Sequence, residues 1–395
     1  MTGGRAGLLA ALLLSALALR PQIVGVGPLL PSIQDDLDVS HAVAGLLATI
    51  PVLCMGLFAP SAPYLSKRLG SRYAIGMCLA LIGGAGIARA LVPGEVAVIL
   101  LTFPIGVGIG FAGALMPVAV KERFPDRPAF ATGVYTTGIN SGSAIAASVA
   151  VPIASLAGGW RSALLVFSAV TAGLVALWLY QTRREPPHAR SEFRPPRLPY
   201  RSKVAWMLVL MFALLGIGYY GLNAWLPDSY VERGWSEASA GGLLAVFNIA
   251  AIPTSFLVGF AADRIGSRRL YFMASGILMV GSLLGVVLLP GGGWLWATLI
   301  GGANGALFAL VMTLPLDVAS GPAQVGAVAG MMLGAGYTIA ALSPFTLGAV
   351  RDLTGSFTTT LWVVVGTASL FMLLCSTLTH ERLRRGVAAE QPVAG

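Results

Sequence analysis

Twelve apolar stretches, separated mostly by short polar turns, constrain this 395-residue chain more than any other feature. A helix needs about 20 apolar residues to cross the hydrocarbon core of a bilayer. Stretches near that length fall at 8–31, 42–65, 74–92, 96–119, 130–153, 161–181, 204–226, 239–261, 270–289, 294–316, 325–349 and 358–378. Hydrocarbon offers no water to bond backbone amides, so each stretch must satisfy its own backbone as a helix. With 56% hydrophobic and 10% charged residues, the chain has too few charges to coat a soluble surface. The expected fold class is an all-α polytopic membrane protein of twelve transmembrane helices. Arg5 and Ala16-Leu17-Ala18 imitate a secretory signal, but the apolar run continues to Leu30, too long for a signal core, so a retained first span is expected.

Six spans precede a Pro- and Arg-rich segment and six follow it. The expected organisation is a first six-helix bundle at 1–181, a linker at 182–203 and a second bundle at 204–395. Basic residues fix the expected orientation. One side collects Arg5; Lys67, Arg68 and Arg72; Lys121, Arg123 and Arg127; the linker arginines with Lys203; Arg264, Arg268 and Arg269; and Arg382, Arg384 and Arg385, which is twenty of the 25 lysines and arginines. The other side carries Asp35-Asp36-Leu37-Asp38, Glu95, Asp228, Glu232 and Glu237. Both termini are therefore expected in the cytoplasm of a bacterial-type inner membrane. The net charge of +9 follows topology and gives no reason to invoke nucleic acid.

An internal repeat organises the chain further. Leu30-Pro31-Ser32 recurs as Leu226-Pro227-Asp228, Ser40 as Ser236, and Arg68-Leu69-Gly70-Ser71-Arg72 as Arg264-Ile265-Gly266-Ser267-Arg268, each displaced by 196 positions. The offset crosses an even number of spans, so the two copies share one orientation, as in parallel repeats about an axis along the membrane normal.

Against that duplicated background, Arg20 stands out. It is the thirteenth of the 23 residues from Leu8 to Leu30. A charge near the bilayer centre costs roughly 2.5–3.5 kcal/mol on insertion scales, and at 1.5 Å per residue Arg20 lies roughly 15–18 Å from the ends, too deep to snorkel. No acidic residue lies centrally in a span; Asp317, at the end of span 10, comes nearest. A guanidinium is a planar fork of donors suited to carboxylate-like groups, so Arg20 is expected to bind an anion, with backbone carbonyls or Asp317 as the alternative partners. Pro21, Gly25, Gly27 and Pro28 follow it, which predicts a helix that bends around a site. The repeat maps Arg20, Val24 and Gly27 onto Gly216, Tyr220 and Asn223, on one helix face. With Asn140, Asn248, Asn304 and Tyr337 these supply the neutral part of the expected binding site. Arg89, in the outer third of span 3, is expected to snorkel outward, or else to gate or steer anions as a second charge; Asp317 is the other candidate for a gating charge. Trp225 reads as an interfacial anchor.

Twelve spans in two sets, a long basic central loop and the paired Gly-Ser-Arg loops resemble the major facilitator superfamily, whose loop signature is Gly-x-x-x-Asp-Arg-x-Gly-Arg-Arg. Gly259 to Arg269 is similar to it, with Asp263, Arg264 and Gly266 in register and Ser267 in place of an arginine. The first copy keeps Arg68, Gly70 and Arg72 but has Ser66-Lys67 where an acid is usual, so the conformational lock attributed to that acid does not carry over. Leu19-Arg20-Pro21, Gly27-Pro28-Leu29-Leu30-Pro31, Gly106-Val107-Gly108-Ile109-Gly110 with Leu115-Met116-Pro117, and Ala224-Trp225-Leu226-Pro227 resemble the cyanate and 2-nitroimidazole transporter branch. The resemblance implies alternating access between two six-helix halves.

Other patterns carry no chemistry. Gly108-Ile109-Gly110-Phe111-Ala112-Gly113 matches a dinucleotide fingerprint but lies inside an apolar span with no preceding strand. Gly106, Gly110 and Gly113, like Gly326, Gly330 and Gly334, share a face for close helix packing. Cys54, Cys78 and Cys375 read as small core residues, and His41, His188 and His380 fall at span ends or in loops, so no catalytic set, metal site or cofactor is expected. The expected function is a secondary transporter, monomeric in the lipid bilayer, that carries a small anion or small polar planar solute, with a proton as candidate coupling ion. The alternatives are a proton-coupled drug efflux antiporter, which Arg20 and the missing central carboxylate oppose, and a non-transporting receptor, for which the loops are too short.

Overall fold

The computed structural model describes residues 3–124, 128–183, 198–265, 268–318 and 322–377, and all regular structure among them is helical. Twelve helical segments are long and apolar enough to span a membrane: Ala6–Leu37, His41–Ser61, Tyr64–Leu91, Glu95–Val120, Val134–Ala157, Trp160–Gln181, Lys203–Val231, Glu237–Ser255, Arg269–Leu288, Pro290–Pro315, Gln324–Thr354 and Phe357–Ser376. These are spans 1 to 12 below. Most of the expected linker, 184–197, lies outside the described residues, as do His188, His380 and Gly266. Helix starts carry local signals: Ser40, Ser202 and Ser356 accept hydrogen bonds from the backbone N–H groups of Val43, Ala205 and Thr358.

Spans 1–6 and spans 7–12 pack mainly among themselves. The main contacts between the two sets join span 2 to span 11 and span 5 to span 8, with the middle of span 1 against spans 7 and 8. Exchanging the two sets turns the pair 2–11 into the pair 8–5, as an approximate two-fold requires. Between apolar helices in lipid the hydrophobic effect gives no preference, so close backbone approach does the work. A Cβ at Gly45 would lie 2.6 Å from the carbonyl oxygen of Pro344, and one at Gly27 would collide with the carbonyl oxygen of Asn223. Trp225, expected at the interface, is instead 2% exposed and donates Nε1–H to the carbonyl oxygen of Pro344 at 2.7 Å, tying span 7 to span 11. Its indole N–H finds a partner inside the protein, so it has no need of the headgroup region.

Span 1 is broken where Pro21 and Pro28 withdraw donors from the helical ladder. It runs as helix Gly3–Leu17, a short turn at Pro21–Val24, a tight turn at Gly27–Leu29 and helix Leu30–Leu37. The broken stretch is clamped from behind by Arg89. Contrary to the snorkelling expectation, Arg89 is 0% exposed. It donates from Nη2 to Oε1 of Gln22 at 2.6 Å and from Nη1 to Oγ1 of Thr102 at 3.1 Å. Gln22 in turn donates to Oγ of Ser168 at 2.8 Å. Partners from spans 1 and 4 thus draw the guanidinium inward, with Ser168 of span 6 holding Gln22 in place, and reaching the headgroups would break both bonds to Arg89.

On the acidic side a polar latch joins the two sets. Asp352, at the end of span 11, accepts from the backbone N–H of His41 at 3.1 Å and of Ala42 at 2.9 Å, and its Oδ1 lies 2.8 Å from Nδ1 of His41. Asp228 accepts from Nε2 of Gln34 at 3.2 Å and sits 3.8 Å from Nε2 of His41. Rings of Trp225 and Phe357 pack on the imidazole at 5.6 and 5.4 Å.

Two outcomes follow from these contacts. Arg89→Met leaves Oε1 of Gln22 without its buried donor, a loss of about 1–3 kcal/mol that should lower the melting temperature of detergent-purified protein; an unchanged melting temperature would show that the clamp is dispensable. Asp352→Ala removes the shared acceptor of the latch. A cysteine placed at buried Thr49 should then react faster with an impermeant maleimide added from the acidic side than it does when Asp352 is present; an equal rate would show that the latch does not hold this side closed.

Candidate functional site

The break in span 1 delivers Arg20 to the midplane with its side chain aimed between the two sets of spans. There it lines a cavity of about 210 Å³. Arg20 is half-buried and donates from Nη1 to the hydroxyl of Tyr220 at 3.3 Å; Tyr337 meets the same guanidinium. Gly216, the repeat counterpart of Arg20, also lines the cavity, so the two equivalent places face one space and only one carries a charge. A Cβ at Gly216 would lie 2.7 Å from Cβ of Ala340.

The other walls are neutral. Asn140 comes from span 5, Phe212, Tyr219 and Tyr220 from span 7, Asn248 from span 8, Asn304 and Phe308 from span 10, and Tyr337 from span 11. Among the described residues no acidic side chain lines the cavity. The lining runs from the midplane toward the basic side along each helix: from Asn140 to Thr136, Gly216 to Phe212, Asn248 to Ser255, and Asn304 to Met312. The acidic side is closed by the latch.

Two of the amides differ in their commitments. Asn248 donates to Oδ1 of Asn223 at 3.1 Å and to the carbonyl oxygen of Leu244 at 3.0 Å, and accepts from the hydroxyl of Tyr219 at 3.1 Å. Asn304 is 6% exposed, and its Oδ1 has no hydrogen-bond partner among the described residues. Aromatic edges fill the space between: Phe212 and Tyr337 meet at 4.9 Å and 85°, Tyr219 and Tyr220 at 5.1 Å and 83°. Such edge-to-face pairs are favourable geometry for rings.

Six of the seven residues expected to bind ligand, Arg20, Tyr220, Asn304, Tyr337, Asn140 and Asn248, line this one cavity. Asn223 does not; it braces Asn248 from behind and donates to the carbonyl oxygen of Tyr219 at 2.8 Å. Arg89 and Asp317 are also absent from the wall. Tyr219 and Phe212 went unnoticed in the sequence because span 7 presents two adjacent ridges to the cavity, and the repeat marked only the ridge of Gly216, Tyr220 and Asn223. The latch residues His41, Asp228 and Asp352 were missed because each belongs to a different helix end.

At the basic side the first signature loop turns at Gly70, with φ of 73°. Arg72 donates to the carbonyl oxygen of Leu179 at 3.2 Å, and Arg123 donates to Oγ of Ser71 at 2.9 Å, while Ser71 also bonds Glu122. Loop 2–3 is thereby tied to spans 4 and 6 without an acid at positions 66–67. Arg68 is exposed. The side chains of Asp263 and Arg264 in the second copy lie outside the described residues.

Comparison with known proteins places this architecture. The profile described as Major Facilitator Superfamily matches residues 8–344. The 2-nitroimidazole transporter of Escherichia coli is 30% identical over 370 residues, covering 93% of each chain. The cyanate transport protein CynX of Escherichia coli is 30% identical over 351 residues, covering 89% of this chain and 91% of its own. A crystal structure of a bacterial homolog of the human lysosomal transporter Spinster, inward-facing and unoccupied, superposes with a TM-score of 0.78 at 16% identity over 97% of this chain and 99% of its own, and so shares the fold. Two sets of six spans around a midplane cavity, together with these matches, establish that the chain belongs to the major facilitator superfamily and is a multi-pass membrane protein and secondary transporter rather than an enzyme.

Proposed function

We propose that the protein carries a small anion or small polar planar solute by alternating access, with Arg20 as the anion anchor. One observation carries this reading: a guanidinium midway along span 1, bonded to tyrosine hydroxyls and to no acidic side chain among the described residues, faces a cavity whose described walls are otherwise neutral. An arginine in a low-dielectric cavity without a counterion favours an anionic occupant, and the same charge opposes a cationic drug. The matched relatives named for cyanate and 2-nitroimidazole carry solutes of the size this cavity admits.

In this reading 1–181 and 204–395 rock about the site, and the linker 182–203 tethers them. The basic side, with both termini, faces the cytoplasm according to the charge asymmetry, so the latched acidic side faces outward and this state opens inward. The loops around Arg68, Gly70 and Arg72, and around Asp263, Arg264 and Gly266, steady the inner ends. With no acidic side chain on the cavity wall among the described residues, any coupled proton rides on the solute or on a group outside the cavity, and a single chain holds a complete site.

The test is a thermal-shift and proteoliposome-uptake comparison of wild type, Arg20→Lys and Arg20→Ala with small anions. A charge-assisted hydrogen bond contributes about 1.5–3 kcal/mol, so Arg20→Ala should weaken binding by roughly 10- to 150-fold, with Arg20→Lys intermediate because it keeps charge but not the fork. Uptake that survives Arg20→Ala unchanged would sink the anchor.

A further inference from the structure

From the same cavity we infer a narrower class of solute: a planar, single-ring monoanion that carries an N–H or O–H donor away from its anionic group. The inference rests on the proposed role of Arg20 and adds three observations to it.

The first is size. An apolar cavity of about 150 Å³ holds benzene, so 210 Å³ admits one ring with substituents. A linear anion of three atoms would leave most of that space to water. The second is the wall. Phe212, Tyr219, Tyr220, Phe308 and Tyr337 surround the space with rings from three spans. Phe212 meets Tyr337 at 4.9 Å and Phe308 at 6.4 Å, and Tyr220 meets Tyr337 at 6.3 Å. A planar ring extends such a cluster with offset or edge contacts worth about 0.5–1.5 kcal/mol each beyond area burial. A small hydrated ion makes none of these contacts.

The third is the unequal state of the amides. Asn248 is fully committed to Asn223, Leu244 and Tyr219 and has little left for a ligand. Asn304 is as buried, at 6% exposed, yet Oδ1 is unpartnered among the described residues. Buried acceptors are almost always satisfied; Asn304 belongs to the cavity lining while its Oδ1 is turned into the wall without a partner, so a turn of the amide toward the cavity lets a ligand's donor satisfy it. Arg20, by contrast, has no acceptor capacity and can only take the anionic end. The two groups come from opposite sets of spans, Arg20 from span 1 and Asn304 from span 10, and both line the cavity. A solute with its charge at one end of a ring and its donor at the other satisfies both together and helps join the two sets.

The probes are 4-hydroxybenzoate, benzoate and cyanate, tested by calorimetric or thermal-shift binding to purified full-length wild type, Asn304→Leu, Asn304→Ala and Arg20→Ala. Wild type should bind 4-hydroxybenzoate about tenfold more tightly than benzoate, and benzoate more tightly than cyanate. In Asn304→Leu the preference for the hydroxyl should vanish while benzoate binding persists; Asn304→Ala repeats the measurement should the larger side chain fill the cavity. Arg20→Ala should weaken both benzoates alike. Cyanate binding as tightly as the benzoates, or a hydroxyl preference that survives both Asn304 variants, overturns the ring-and-donor inference while leaving the anchor intact. Benzoate binding indifferent to Arg20→Ala overturns the anchor, and the inference with it.

Discussion

A guanidinium placed in a bilayer must find partners, and the structure is arranged around two that solve this differently. Arg89 is enclosed: Gln22 and Thr102 accept from its two terminal nitrogens, and its exposure is nil. Arg20 is left half-buried on the cavity wall, with the hydroxyls of Tyr220 and Tyr337 for company. The first arrangement makes the second possible. Pro21 breaks span 1 directly after Arg20, and a broken helix in lipid must have its freed groups held by neighbours. Gln22, clamped between Arg89 and Ser168, holds that break in place, so a charge buried at full cost on one side of span 1 fixes a charge left available on the other.

The duplicated architecture supplies the frame and the departures from it supply the site. Spans 2 and 11 answer to spans 8 and 5, and the two loops with Gly-Ser-Arg answer to each other. At the centre the correspondence stops, with Arg20 on one side and Gly216 on the other. A symmetric pair of guanidiniums would repel across the cavity. One guanidinium facing a glycine leaves the cavity with a single charged wall and an otherwise neutral lining among the described residues.

The fold was legible because its strongest determinant is local. Twelve runs of apolar residues place twelve helices without knowledge of how they pack, and the repeat spacing pairs them. Much of the site was legible for a related reason: polar residues inside spans are costly, so Asn140, Asn248, Asn304 and Tyr337 announced themselves by position. What could not be read were commitments made across helices. Asn223 reads from the sequence as a ligand residue, whereas it lies off the cavity wall, bonded to Asn248 and to the carbonyl oxygen of Tyr219. Arg89 looked close enough to the surface to reach it, because nothing in the sequence shows that Gln22 and Thr102 would meet it from spans 1 and 4. Trp225 sits where an interfacial anchor would, and only the packing of span 11 shows its indole bonded to Pro344. The aromatic wall was half visible, since helical spacing marks one ridge and the cavity spans two.

The latch has a mechanical property set by how the start of span 2 is capped. The first turn of any helix leaves four N–H groups without partners. Asp352 takes those of His41 and Ala42 from across the boundary, while Ser40, on the same helix, takes that of Val43. In the alternating access proposed above, parting of the two sets would remove the borrowed cap and leave the resident one. The start of span 2 is thus held partly by its own residue and partly by the opposite set, so the same two carboxylate contacts that close the acidic side also finish a helix end.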